Sequence, residues 1–261
     1  MEHFIWNIDP VLLSLGPITI HWYGAIFASS IFAGLYYMKW VYQQENQNIE
    51  SLDNLLVYVV IGIIVGARLG HCFFYDPDYY FANPMKILAI WEGGLASHGG
   101  GLGAIIGTYF YTRKNPFNFI WLLDRLAIAT ALFGIFVRSA NFVNAEIIGK
   151  ATDVPWAVVF QRIDNIARHP AQLYEAIAYA IIFVTLTAIY KLTKAKNYQG
   201  MLLGIFLIMT FTARFIIEFF KQQQAAYTIE TSLNTGQMLS IPFFLVGVVL
   251  VLWSLKNKAT V

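Results

Sequence analysis

The 261-residue chain has little charge, a single cysteine and no basic tract. Charged residues make up 12% of it and hydrophobic ones 58%. A soluble domain carries roughly 25% charged residues, so this chain lacks the polar surface to cover a globule in water. With a mean hydropathy of +0.58, most of its exterior must face lipid. The lone Cys72 lies in an apolar run, which excludes an internal disulfide or a thiolate metal cage and suits a small buried residue. A net charge of +2 without a basic block argues against a nucleic-acid partner. The opening MEHFIWNIDP has no basic region followed by an apolar core and cleavage site, so insertion is expected to rely on the first spanning helix. No repeat of 20–50 residues and no matched pair of broken helices is visible, which disfavours a repeat-built transporter.

What is present is a series of apolar runs near 19–40, 55–75, 95–112, 120–137, 172–190, 200–220 and 239–256. Each approaches the roughly 20 residues that cross a bilayer. Aromatic residues gather near their ends (Trp22 and Tyr23, Tyr79 to Phe81, Trp121, Trp253), as interfacial anchors do. With the N-terminus outside, the cytoplasmic segments hold Lys39, Arg113, Lys114, Lys191, Lys194, Lys196, Lys256 and Lys258, and the short outer ones Lys86 and Lys221. Eight against two satisfies the positive-inside rule. The sequence therefore predicts an all-α, polytopic transmembrane bundle of about seven spans, N-terminus outside and C-terminus cytoplasmic. It reads as one integral membrane domain over 1–261, with a long non-cytoplasmic loop at about 138–171. That loop keeps Arg138, Lys150, Arg162 and Arg168 outside, against the charge rule, and loops of its length are usually functional.

Arg68, Arg125 and Arg214 fall inside or at the edges of spans. A charge in hydrocarbon costs several kcal/mol and marks a functional site by default. At 1.5 Å per residue Arg214 lies about 9 Å from the outer end of its span. Glu218 follows one turn on, at i,i+4, and the bland alternative is a neutralising pair that packs the bundle. His98 sits in WEGGLASHGGGLG, where glycine density predicts a sharply bent backbone that a ligand can approach. A hydrogen-bonded structural histidine is the competing reading. The densest run is RSANFVNAEIIG, with Arg138, Asn141, Asn144, Glu146 and Gly149. Arginine offers a planar fork for phosphate and asparagine fixes ligand oxygens; a capped helix end is the alternative. Arg168 opens RHPAQLYE, whose Pro170 also suits a plain helix start. In the predicted orientation Tyr23, His98, Arg138, Arg168, Arg214 and Glu218 share the outer half of the membrane, the natural place for an anionic lipid headgroup.

RSANFVNAEIIG resembles the membrane-embedded signature of bacterial prolipoprotein diacylglyceryl transferases. HWYG (His21 to Gly24), GARLG (Gly66 to Gly70), SHGGGLG (Ser97 to Gly103), RHPAQLYEA (Arg168 to Ala176) and RFIIEFFK (Arg214 to Lys221) resemble that family's other blocks, in order and across the chain. Val137 and Ala140 stand where the family commonly has glycines, and Thr210 replaces a frequent tyrosine. The resemblance implies transfer of the diacylglyceryl group of phosphatidylglycerol to the lipobox cysteine of a prolipoprotein, at the outer (periplasmic) side of the cell inner membrane, without metal or organic cofactor. It implies His98, Arg138 and Arg214 as catalytic residues, with His98 either activating the thiol or positioning the headgroup. Tyr23, Asn141, Asn144, Glu146, Gly149, Arg168 and Glu218 would bind substrate. Rival readings are an anion or lipid transporter, an acyltransferase suggested by the His71–Asp76 spacing, and a non-catalytic lipoprotein chaperone.

Overall fold

A computed structural model describes residues 3–222 and 233–257; Lys258, used above in the charge count, lies outside them. The chain is mostly helical. Long helices are α1 (Trp22–Gln44), α2 (Ser51–Phe74), α4 (Ser97–Lys114), α5 (Phe119–Val143), α6 (Ala171–Leu192), α7 (Met201–Ile217) and α8 (Thr235–Lys256), with a short α3 (Pro77–Ala82) between α2 and α4. Each expected span coincides with a long helix. Five of them (α2, α5, α6, α7 with its 3-10 extension to Phe220, and α8) are long and apolar enough to cross a membrane.

Purely all-α the chain is not. β1 (Phe4–Trp6), β4 (Val158–Phe160) and β5 (Ala167–Arg168) form one small sheet in the order β1-β4-β5, and β2 (Val11–Leu15) and β3 (Ile18–His21) form a hairpin. Strands of two to five residues are too short to show alternation in sequence. The first sheet ties the start of the chain to the segment after α5, and Trp6, Phe142, Val158 and Phe160 pack there into a small core. The long loop therefore begins later than expected: α5 runs to Val143, so Arg138 and Asn141 belong to its last turns.

The chain divides into two compact units, one formed by residues up to Tyr37 together with those from Asp124 onward, the other by Met38–Leu123. In the second unit α2 and α4 pack glycine against glycine. A Cβ on Gly66 would stand 2.3 Å from the Gly99 carbonyl oxygen, and one on Gly103 1.9 Å from that of Gly62. Small residues four apart let two helix backbones touch, the usual device where lipid offers no hydrophobic drive for association. The glycines after His98 thus build a helix contact in a regular helix, rather than the bent, ligand-lined backbone their density suggests. The bend comes earlier, at Gly93 and Gly94, with φ of 86° and 72°.

Two of the embedded arginines are structural. Arg68, 3% exposed, gives Nε to the Ile87 carbonyl at 2.9 Å and its terminal nitrogens to the carbonyls of Lys86, Gly93 and Gly94. It also lies 5.0 Å from the Tyr80 ring centre. In the first unit Arg125 donates to the Lys196 carbonyl at 2.9 Å, and its neighbour Asp124 accepts from the Gly200 and Leu203 amides at 2.7 and 2.8 Å. Asp124 thereby caps α7 from another helix, answering amides that a helix start leaves open.

Candidate active site

The first unit gathers its polar side chains where the beginnings of α1, α6 and α8 meet the ends of α5 and α7. From α5, Arg138 places Nε 3.1 Å from Oε2 of Glu175, on the second turn of α6. The other oxygen of Glu175 lies 3.0 Å from Nζ of Lys221, whose ammonium is also 3.7 Å from Glu218. Glu175 is buried, and buried charges are found paired in this way. Tyr179, one turn further along α6, lines the same cavity as Arg138, with its ring against Gly134 of α5.

Glu146 organises the other flank. Asn141 donates to its Oε2 at 3.1 Å, Asn144 donates to its Oε1, and Tyr23 of α1 lies close to both Asn141 and Glu146. The residues on either side of Glu146, Ala145 and Ile147, both have φ of 56°. Left-handed backbone is costly for a β-branched isoleucine and persists where surrounding contacts over-determine it. Here it folds the carboxylate back onto the two asparagines.

Between α5, α6 and α7 lies a cavity of about 70 Å³, lined by Arg138, Glu175, Tyr179, Thr210 and Arg214 among others. That is space for a few water-sized groups. Arg214 Nε and Thr210 Oγ1 are buried there with no hydrogen-bond partner among the described residues. Buried donors without partners are rare and call for an unseen one. Glu218 does not neutralise Arg214 as the i,i+4 spacing allowed. Among the described residues its ion pair is with Lys221, and its carboxylate packs on Gly236, where a Cβ would lie 2.4 Å from Cδ. Gly236 stands in the first turn of α8, whose amides favour negative charge.

The remaining expected residues have other surroundings. His98 is exposed on the first turn of α4, in the second unit. Gly149 is a backbone crossing: its amide donates to the His169 carbonyl at 3.1 Å, the Gln222 amide to Ile148 at 3.2 Å, and a Cβ would stand 2.3 Å from His169 oxygen. Arg168 forks onto both oxygens of Asp164, at 2.5 and 3.3 Å, and reaches the Gly149 carbonyl and Gln222. Its hydrogen bonds hold the Asp164 carboxyl below the usual carboxylate range. Next to it His169 accepts or donates at Tyr174, 3.0 Å away, and burial lowers its pKa. Both residues frame the site and do not line the cavity. Sequence reasoning missed Glu175, Tyr179 and Lys221. The depth argument applied to arginines would have found Glu175, an acid in the second turn of an apolar helix, with Tyr179 at i+4 on the same face.

The family model for prolipoprotein diacylglyceryl transferase matches residues 10–253. A phosphatidylglycerol–prolipoprotein diacylglyceryl transferase of Tolumonas auensis is 54% identical over 97% of this chain and 98% of its own. Proteins of the same name from Chloroherpeton thalassium and Bacteroides fragilis are 46% and 42% identical, each over 96% of its own length and over 98% and 97% of this chain. The chain belongs to the prolipoprotein diacylglyceryl transferase family.

Proposed function

We propose that this chain transfers the diacylglyceryl group of phosphatidylglycerol to the lipobox cysteine of a prolipoprotein, forming a thioether and releasing glycerol phosphate. The observation that carries the reading is the cavity shared by Arg138 of α5 and Arg214 of α7, two cations at the ends of long apolar helices in a chain so similar to named transferases. Sulfur attacks the diacylglycerol carbon that bears the phosphate. The S–C bond forms, the C–O bond breaks, and the electron pair leaves on glycerol phosphate. An ordinary thiol has a pKa of about 8.5, so ionising it near neutrality costs only about 2 kcal/mol. More of the barrier lies in the charge that grows on the departing phosphate, where preorganised cations act most strongly.

Arg138 and Arg214 hold that phosphate. Glu175 fixes the Nε side of Arg138, Asn141 accepts from one terminal nitrogen in a long 3.4 Å contact, and the rest of the fork meets the substrate. Tyr23, Asn141, Asn144 and Glu146 orient the headgroup hydroxyls, Glu218 sets Lys221, and Gly149 and Arg168 brace the frame. His98 activates the thiol or positions the headgroup. The chain acts as one integral membrane domain of about seven spans in the cell inner membrane, N-terminus outside and site toward the periplasmic or outer face. The eight-to-two lysine and arginine asymmetry supports that orientation. Bilayer lipid and the prolipoprotein segment are its partners. Mass spectrometry of a lipobox peptide incubated with the purified protein and phosphatidylglycerol tests the reading. A diacylglyceryl adduct on the cysteine peptide and none on its serine counterpart is expected; an unmodified cysteine peptide contradicts it.

A further inference from the structure

We infer that Glu175 sets the charge of the cavity so that it accepts a phosphodiester and rejects a phosphomonoester, making it a specificity-determining residue that favours product release. The inference deepens the transferase reading and rests on it. The lipid enters as a diester with one negative charge. Glycerol phosphate leaves as a monoester that, with a second pKa of about 6, carries close to two near neutral pH. Substrate and product thus differ by about one charge at the same phosphorus.

Among the described residues, the charged groups lining the cavity are Arg138, Arg214 and Glu175, two cations and one anion, a net charge of +1. Of the next groups out, Lys221 bridges Glu175 and Glu218, so its charge is offset by Glu218. On the α1 flank Glu146 is held by Asn141 and Asn144 and lies outside the lining. The phenols of Tyr23 and Tyr179 carry no charge near neutrality. A cavity of +1 balances a diester and leaves a dianion one charge in excess, and uncompensated charge in a partly dry site is held poorly. The open donors at Arg214 Nε and Thr210 Oγ1 are neutral to this choice; they serve the oxygens of either ester. Replacing Glu175 by glutamine keeps its shape and raises the lining to +2.

The test is calorimetric binding of two soluble probes to the full chain in nanodiscs: glycerol 1-phosphate, a monoester, and glycerophosphoglycerol, the diester headgroup without its acyl chains. The unaltered protein is expected to prefer the diester at pH 8. That preference narrows toward pH 5 as the monoester takes up its second proton; the diester does not titrate and reports any change in the protein itself. Glu175→Gln should tighten the monoester about tenfold at pH 8 and reverse the preference, while Glu175→Asp keeps it. An unchanged probe ratio in Glu175→Gln, or a monoester preference in the unaltered protein at pH 8, overturns the inference. Should the glutamine variant not fold, the pH series on the unaltered protein decides alone. Binding needs no turnover, so a chain with the expected preference that releases nothing from phosphatidylglycerol refutes the transferase reading and leaves this inference standing.

Discussion

Arg68 and Arg138 both sit on long apolar helices, one in each compact unit, and by depth alone both qualify as functional. Their partners separate them. Arg68 spends its guanidinium on backbone carbonyls of the turns between α3 and α4, groups that would otherwise lack donors. Arg138 meets side chains: Glu175, Tyr179 and, in a long 3.4 Å contact, Asn141. It also faces a cavity with a second arginine. A charge satisfied by main chain is a structural brace. A charge held by other ionisable side chains, beside unpartnered donors, is available to a ligand.

The sharpest way to break that comparison is to remove each arginine. Arg138→Ala or Arg214→Ala should lower turnover by about 10²-fold or more, the usual cost of losing one stabiliser of developing charge, and Arg214→Ala should leave the unfolding midpoint little moved. Arg68→Ala should do the reverse in kind, costing on the order of 3 kcal/mol of stability as its carbonyls lose their donors. Paired thermal-unfolding and glycerol phosphate assays read both; equal loss of turnover without loss of stability in Arg68→Ala would erase the distinction. Within the second unit, Gly103→Ala should destabilise by about 1–3 kcal/mol because α2 and α4 must separate. Gly101→Ala, with open space around its Cβ, should stay within about 0.5 kcal/mol of the unaltered protein.

Cys72 is fully buried and belongs to the α2 framework, so Cys72→Ala should cost about 1 kcal/mol and leave turnover intact. A folded but inactive Cys72→Ala protein would contradict the assignment. The smallest effect is a pH dependence of the frame. His169 has a lowered pKa when folded, so its contribution to stability is complete above about 6.5 and is lost as pH falls from there through the lowered value. Asp164, also lowered, contributes fully above about 3.9 and loses that contribution on further acidification. His169→Gln should remove the upper step and Asp164→Asn the lower one in unfolding midpoints measured against pH.

The helices were legible because twenty-residue apolar runs leave few alternatives, and the clustering of Arg138, Asn141, Asn144 and Glu146 followed from one dense polar run, with Tyr23 in the separate HWYG block. Gly99 and Gly103 misled, since close approach of a second backbone and close approach of a ligand favour the same residue. β1 and β4 were invisible because pairing between Phe4 and Val158 leaves no local pattern. Glu175 escaped because RHPAQLYEA reads as an ordinary helix start until Arg138 is placed beside it.

The most direct measurement uses purified protein, phosphatidylglycerol labelled in its headgroup, and a lipobox peptide with or without its cysteine. Release of labelled glycerol phosphate that requires the cysteine and is lost in a folded Arg138→Ala protein is the predicted result. Cysteine-independent release, or undiminished release by Arg138→Ala, would contradict the account.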